Sequence, residues 1–93
     1  MDIIKVEGEN KGEILIYALS TCGWCKKTKQ FLNDKKIAYS YVDVDLLDDG
    51  ENTTVMEIIR KWNPSGSFPT IVVNNKKGIR GFNSTELMKA LEG

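Results

Sequence analysis

The sequence contains no histidine and only two cysteines, Cys22 and Cys25. Without imidazole a Cys–His nucleophile is excluded. Two thiols also fall short of the roughly four ligands that a tetrahedral zinc site wants, so no metal site is expected. Net charge is missing too, because thirteen basic and thirteen acidic residues cancel. A balanced chain has no global electrostatic footprint for nucleic acid or an anionic membrane, and only Lys26, Lys27 and Lys29 make a local basic patch. No stretch approaches the ~18 apolar residues of a spanning helix. The start, Met1-Asp2, lacks the basic segment and apolar run of a secretory signal. Repeats and low-complexity segments are absent. These absences predict a soluble, cytoplasmic protein with neither nucleic-acid nor membrane partners, and a monomer is expected.

What is present is ordinary for a globular chain: 93 residues, 41% hydrophobic and 28% charged. That length predicts one domain, residues 1–93. "ILIYAL", residues 14–19, is a continuous apolar run of the kind found in strands buried on both faces. "EGENKG", residues 7–12, is turn-like and separates it from "DIIKV", residues 2–6, a candidate extra strand. "KKTKQFLNDKK" has helix-forming composition, with Cys25, Thr28, Phe31 and Leu32 on one side. "IAYSYVDVD", residues 37–45, alternates as a strand does. After the polar turn "LLDDGENTT", Thr54 and Glu57 fit a capping box. Val55, Ile58, Ile59 and Trp62 then define an amphipathic helix ended by "NPSGS". "FPTIVVN", residues 68–74, reads as a strand, and "NKKG" turns into a short strand near Ile79. Asn83 and Glu86 form a second capping pattern, opening a last helix with Leu87, Met88 and Leu91 buried. The order β-α-β-α-β-β-α predicts parallel strands with right-handed crossovers for the first two βα pieces. An antiparallel hairpin at the end completes a small mixed sheet with helices on both faces.

The cysteine pair falls where a buried strand ends and a helix begins. Free backbone N–H groups and the macrodipole at that end stabilise a sulfur anion, which favours Cys22 as the attacking thiolate. Lys26 and Lys27 add positive potential, weakened by solvent screening. Cys25, three residues on, lies on the same helix face in a more buried place, which suits a resolving thiol. A structural staple is a poor alternative, since closing so short a loop removes little unfolded-state entropy. Inert, unrelated thiols are the bland reading. C-x-x-C at a strand-to-helix junction within a β-α-β pattern favours redox chemistry over it.

"CGWC", preceded by "Y-x-x-S-T" and followed by "K-x-T-K-x-F-L", "YVDVD", "SFPT" and "RGF", resembles the glutaredoxin branch of the thioredoxin superfamily across residues 13–92. The resemblance implies a thioredoxin fold with a four-stranded mixed sheet and three flanking helices. It implies that Cys22 is the nucleophile, that Cys25 resolves, and that Pro69 is a cis proline facing the pair, where a trans proline opening an edge strand is the alternative. It further implies that the backbone of Phe68 pairs with the bound peptide or glutathione. Trp24, exposed between the cysteines, joins Phe68 and Phe82 as an apolar rim for a partner's disulfide segment, unless Phe82 packs beneath the last helix instead.

Several positions depart from the family pattern. Gly23 and Trp24 replace the usual "CPYC" pair. Leu19 stands where many glutaredoxins have a lysine that contacts glutathione. Arg80-Gly81 replaces a Gly-Gly pair, and no acidic residue follows at Phe82, Asn83 or Ser84. Arg80 offers a different carboxylate contact. "RGF" is also similar to glutaredoxin-like redoxins recharged by a thioredoxin reductase. The expected function is thiol–disulfide exchange on protein disulfides, with glutathione or a thioredoxin reductase-type enzyme as reductant and no tightly bound cofactor. A glutaredoxin that bridges an iron–sulfur cluster, using two copies of Cys22 and two glutathiones, is the alternative from another class. Asp43 and Asp45 read as solvated strand-end carboxylates rather than an acid–base pair. The strand before the cysteines has no buried acid, so Cys25 must lose its proton through water or another group.

Overall fold

The computed structural model describes residues 3–92. The chain begins with β1 (Ile4–Val6), β2 (Ile14–Ala18), α1 (Gly23–Asp34) and β3 (Tyr39–Asp43), followed by a 3₁₀ turn at Val44–Leu46. It continues through α2 (Asp49–Trp62), β4 (Thr70–Val73), β5 (Lys77–Arg80) and α3 (Ser84–Glu92). The strands form one five-stranded sheet in the order β1-β3-β2-β4-β5. The candidate N-terminal strand is therefore real, and it pairs antiparallel with β3 through Ile4–Tyr41 and Val6–Tyr39. Asp2, part of that expected stretch, lies outside the described residues.

The apolar run of β2 is divided between two cores, as a period of two requires. Ile14, Ile16 and Ala18 join Cys25 and Leu32 of α1 and Leu87 of α3 on one face. Tyr17 joins Val55 and Ile59 of α2 on the other. β4 alternates in the same way, with Ile71 and Val73 toward α1 and α3 and Val72 toward α2. Helices α1 and α3 thus cover one face and α2 the opposite one. Trp62, at the end of the α2 stripe, is half-buried against the second core.

Several expectations need correction. β2 and β3 pair parallel, but β4 runs antiparallel to β2, so the α2 connection is not a second parallel crossover. Periodicity places side chains on a face but carries no strand direction. The helix expected to start at Thr54 starts at Asp49, capped by Asp48, whose Oδ1 accepts the Glu51 N–H at 2.8 Å. Asp48 and Glu51 have the same three-residue spacing as Thr54 and Glu57, and Asp49 and Glu51 in the first turn favour the helix dipole. Thr54 lies inside the helix, with its hydroxyl bonded to the Gly50 carbonyl. The strand expected through Asp45 stops at Asp43, where the 3₁₀ turn begins. In α3, Leu87 is buried as expected, but Met88 and Leu91 are half-buried. Asn83 caps that helix, its Oδ1 accepting the Glu86 N–H at 3.0 Å.

Candidate active site

Cys22 is the N-cap of α1. Its backbone is extended (φ −80°, ψ 120°), and its Sγ accepts the Cys25 N–H at 3.2 Å. The sulfur occupies the place that a serine or aspartate oxygen takes in an ordinary cap. No acidic side chain lies in the first turn of α1, so none opposes a sulfur anion there. The backbone turns tightly just before it, with the Cys22 N–H on the Leu19 carbonyl at 3.1 Å. Both cysteines are free thiols; Cys22 is half-buried and Cys25 fully buried. Burial pushes the Cys25 thiol up from 9.0 to about 12, and its hydrogen bond to Cys22 acts the same way. The Leu19 backbone and the charge of Lys29 pull it down. One thiol is accessible at a helix end, and the other is kept protonated beneath it.

The other predicted residues gather around this end of the molecule. The Phe68–Pro69 peptide bond is cis, and Pro69 is buried. The Pro69 carbonyl accepts the Gly81 N–H at 2.8 Å, which places Arg80, Gly81 and Phe82 beside the proline. Gly81 has φ +74°, a left-handed conformation that glycine adopts without a Cβ penalty. Arg80 is exposed at the end of β5, opposite Thr70. Trp24 is 58% exposed. Its ring lies 6.5 Å from that of Phe82, which in turn meets Phe31 edge-on at 5.6 Å. Phe82 thus packs its ring against α1. Phe68 is half-buried and packs against both cores, so the ring contacts of the rim run through Trp24, Phe82 and Phe31. Lys26 is exposed, while Lys27 places its ammonium 4.6 Å from the Trp24 ring centroid.

Three side chains around the site have partners that the sequence does not announce. Asp45 accepts both the backbone N–H and the hydroxyl of Ser20, fixing the segment just ahead of Cys22. Those two hydrogen bonds hold its carboxyl below the usual range. It is exposed, as expected, but it lies in the 3₁₀ turn rather than at the strand end, and its partner is twenty-five residues away. Asn63 is buried, and its Nδ2 donates to the Ser67 carbonyl and to the hydroxyls of Ser67 and Thr70. It thereby shapes the loop leading into Pro69; the Asn-Pro pair marked a turn there without showing this network. Lys29 pairs with Asp43 at 3.3 Å.

Two surface clefts, one along Val6, Gly8 and Ser40 and one between Tyr17, Ile58 and Trp62, contain none of the predicted site residues. Among the described residues no group of three or more Asp, Glu, Cys or His side chains could hold a metal ion, and no helix is long and apolar enough to cross a membrane.

Comparison with known proteins agrees with this geometry. Residues 14–77 match the glutaredoxin family model. The chain is 38% identical over 79 residues to an uncharacterized glutaredoxin-like 8.6 kDa protein of the rubredoxin operon of Clostridium pasteurianum, covering 85% of this chain and 97% of that one. A glutaredoxin structure from Methanosarcina mazei superposes with TM-score 0.89 at 42% identity, covering 98% of this chain and 88% of that one. Methanoredoxin from Methanosarcina acetivorans superposes with TM-score 0.85 at 43% identity, covering 92% and 90% respectively.

Proposed function

The chain belongs to the glutaredoxin family, and on that premise we propose that it is a dithiol–disulfide oxidoreductase acting on protein disulfides. The Cys22 thiolate attacks one sulfur of a substrate disulfide, and the other sulfur leaves with the electron pair and takes up a proton. Cys25 then loses its proton and attacks Cys22 Sγ, which releases the second substrate thiol and leaves a Cys22–Cys25 disulfide. Two electrons pass from the pair to the substrate, and an external reductant restores them. The observation that carries this reading is the placing of Cys22 Sγ as the cap of α1, 3.2 Å from the Cys25 N–H, above a buried Cys25 thiol.

The substrate segment lies along the backbone of Phe68 ahead of Pro69, with Trp24 and Phe82 forming its apolar rim and Arg80 its carboxylate contact. Leu19, and the absence of an acid after Gly81, weaken the charged hold on glutathione. That favours a thioredoxin reductase-type enzyme as reductant. No feature of the site favours the iron–sulfur alternative.

A disulfide-reduction assay tests the reaction. Cys22→Ser is expected to abolish turnover, and Cys25→Ser to accumulate mixed disulfides visible on a non-reducing gel. Wild-type turnover by Cys22→Ser would overturn the reading. The reductant is decided by comparing NADPH plus thioredoxin reductase against NADPH plus glutathione and its reductase; faster turnover with the first is expected.

A further inference from the structure

The buried thiol has to ionise at the moment it attacks, and β2 provides no acid to help it. Lys29 follows Cys25 by four residues, one turn along the same face of α1. Its side chain is only 19% exposed, and its ammonium lies 3.3 Å from the Asp43 carboxylate, itself 15% exposed. The same ammonium sits 3.8 Å from the centroid of the Tyr41 ring. Asp43 ends β3 directly opposite Ala18, the last β2 residue before the cysteine loop. A half-buried charge held this way is screened less than an exposed lysine, and withdrawing such a pair from water has a desolvation cost that needs a reason.

The geometry points to Lys29, held by Asp43 and Tyr41, as the positioning residue that lets Cys25 ionise when it resolves the mixed disulfide. The inference rests on the exchange reaction proposed above. In that step the Cys25 S–H proton passes to solvent, the Cys25 sulfur bonds to Cys22 Sγ, and the Cys22–substrate bond breaks. The substrate sulfur leaves with the electron pair and takes up a proton. Lys29 exchanges no proton; its charge offsets the transient Cys25 anion.

Other groups around Cys25 do not supply this charge. The cysteine loop contributes Cys22, whose negative form opposes a second anion. β3 contributes Tyr39 to the cluster that holds Cys25, its hydroxyl bonded to Asn33, with Tyr41 packed against that cluster and Asp43 paired to Lys29. β2, β4, β5 and α3 contribute Ala18, Ile71, Ile79 and Leu87 to the same cluster, and none of these titrates. Lys29 also draws the Cys25 thiol down against its burial, after the larger effect of the Leu19 backbone.

The test uses protein labelled with ¹³C at cysteine Cβ, in a Cys22→Ser background so that Cys25 titrates alone. Lys29→Gln is expected to raise the Cys25 midpoint by about half a pH unit, roughly a threefold change in thiolate population. Lys29→Arg should leave it unmoved. Asp43→Asn removes a neighbouring anion and should not raise the midpoint. With Cys22 intact, release of a chromophoric thiol from a preformed Cys22 adduct should slow about threefold at pH 7 in Lys29→Gln and recover at high pH. Formation of the adduct should be unchanged. If Lys29→Gln does not fold, Lys29→Met keeps the apolar stem over Tyr41 and carries the same expectation. An unmoved midpoint, or Lys29→Gln and Asp43→Asn both raising it, would mean that the ion pair only pins α1 to β3. The titration involves no substrate, so a wild-type protein unable to reduce disulfides would remove the reaction and leave this result standing.

Discussion

At the scale of single residues, the two cysteines differ because of position rather than chemistry. Cys22 is a cap and Cys25 is core. Burial raises the Cys25 thiol from 9.0 to about 12, so between those values the unfolded chain releases a proton that the folded chain keeps. The Cys25 contribution to stability is fully present below about 9 and is lost as pH rises toward about 12. Tyr17 and Tyr39, both raised by burial, act with the same sign. The urea midpoint of the reduced protein should therefore decline steadily above pH 9, and less steeply in Cys25→Ala; equal slopes would remove Cys25 as a contributor. The motif made the placement of the pair legible, since a cap and an i+3 neighbour follow from local geometry. Lys29 was visible only as part of a basic patch, because its partner Asp43 lies fourteen residues away on another element.

At the scale of elements, the start of α1 decides the site. Gly23 occupies the first helical position, and a Cβ built there meets nothing within 4 Å. Proline suits that position, because its missing N–H would be unpaired anyway. Cys22 already has the extended backbone that a residue before proline requires (ψ 120°). Gly23→Pro is therefore expected to stabilise the protein by about 0.4–1 kcal/mol through the unfolded chain, read as a higher denaturation midpoint. A lower midpoint would show that the Gly23 N–H or its flexibility is needed. The α2 boundary shows where local reading misled. "DDG" looks like a turn, yet Asp48 caps the helix and the next acids favour its dipole. Two acceptable capping patterns lay six residues apart, and the longer helix satisfies both the dipole and the packing of Val55 and Ile59.

At the scale of the whole molecule, one sheet serves two cores. Leu87 is buried under one face and Ile59 under the other. Each Leu or Ile truncated to Ala should cost about 2–5 kcal/mol, against a total of about 5–15 kcal/mol for a domain of ordinary stability. Because β2 and β4 supply side chains to both layers, Leu87→Ala and Ile59→Ala should each lower a single transition. Far-UV circular dichroism and tryptophan fluorescence should then give coincident urea midpoints; diverging midpoints would mean that the layers melt separately.

The amino-acid sequence by itself determined the alternation of strands and helices, the two-sided burial of "ILIYAL", and the helix-end location of the cysteine pair. All of these follow from periodicity and short-range spacing. Only the tertiary structure decided that β4 runs antiparallel to β2, that Gly81 bonds to Pro69, that Asp45 holds Ser20, and that Lys29 meets Asp43. Each of these depends on which segments become neighbours after the sheet closes. That choice is made by burying both faces of one sheet together, and no local pattern in the chain encodes it.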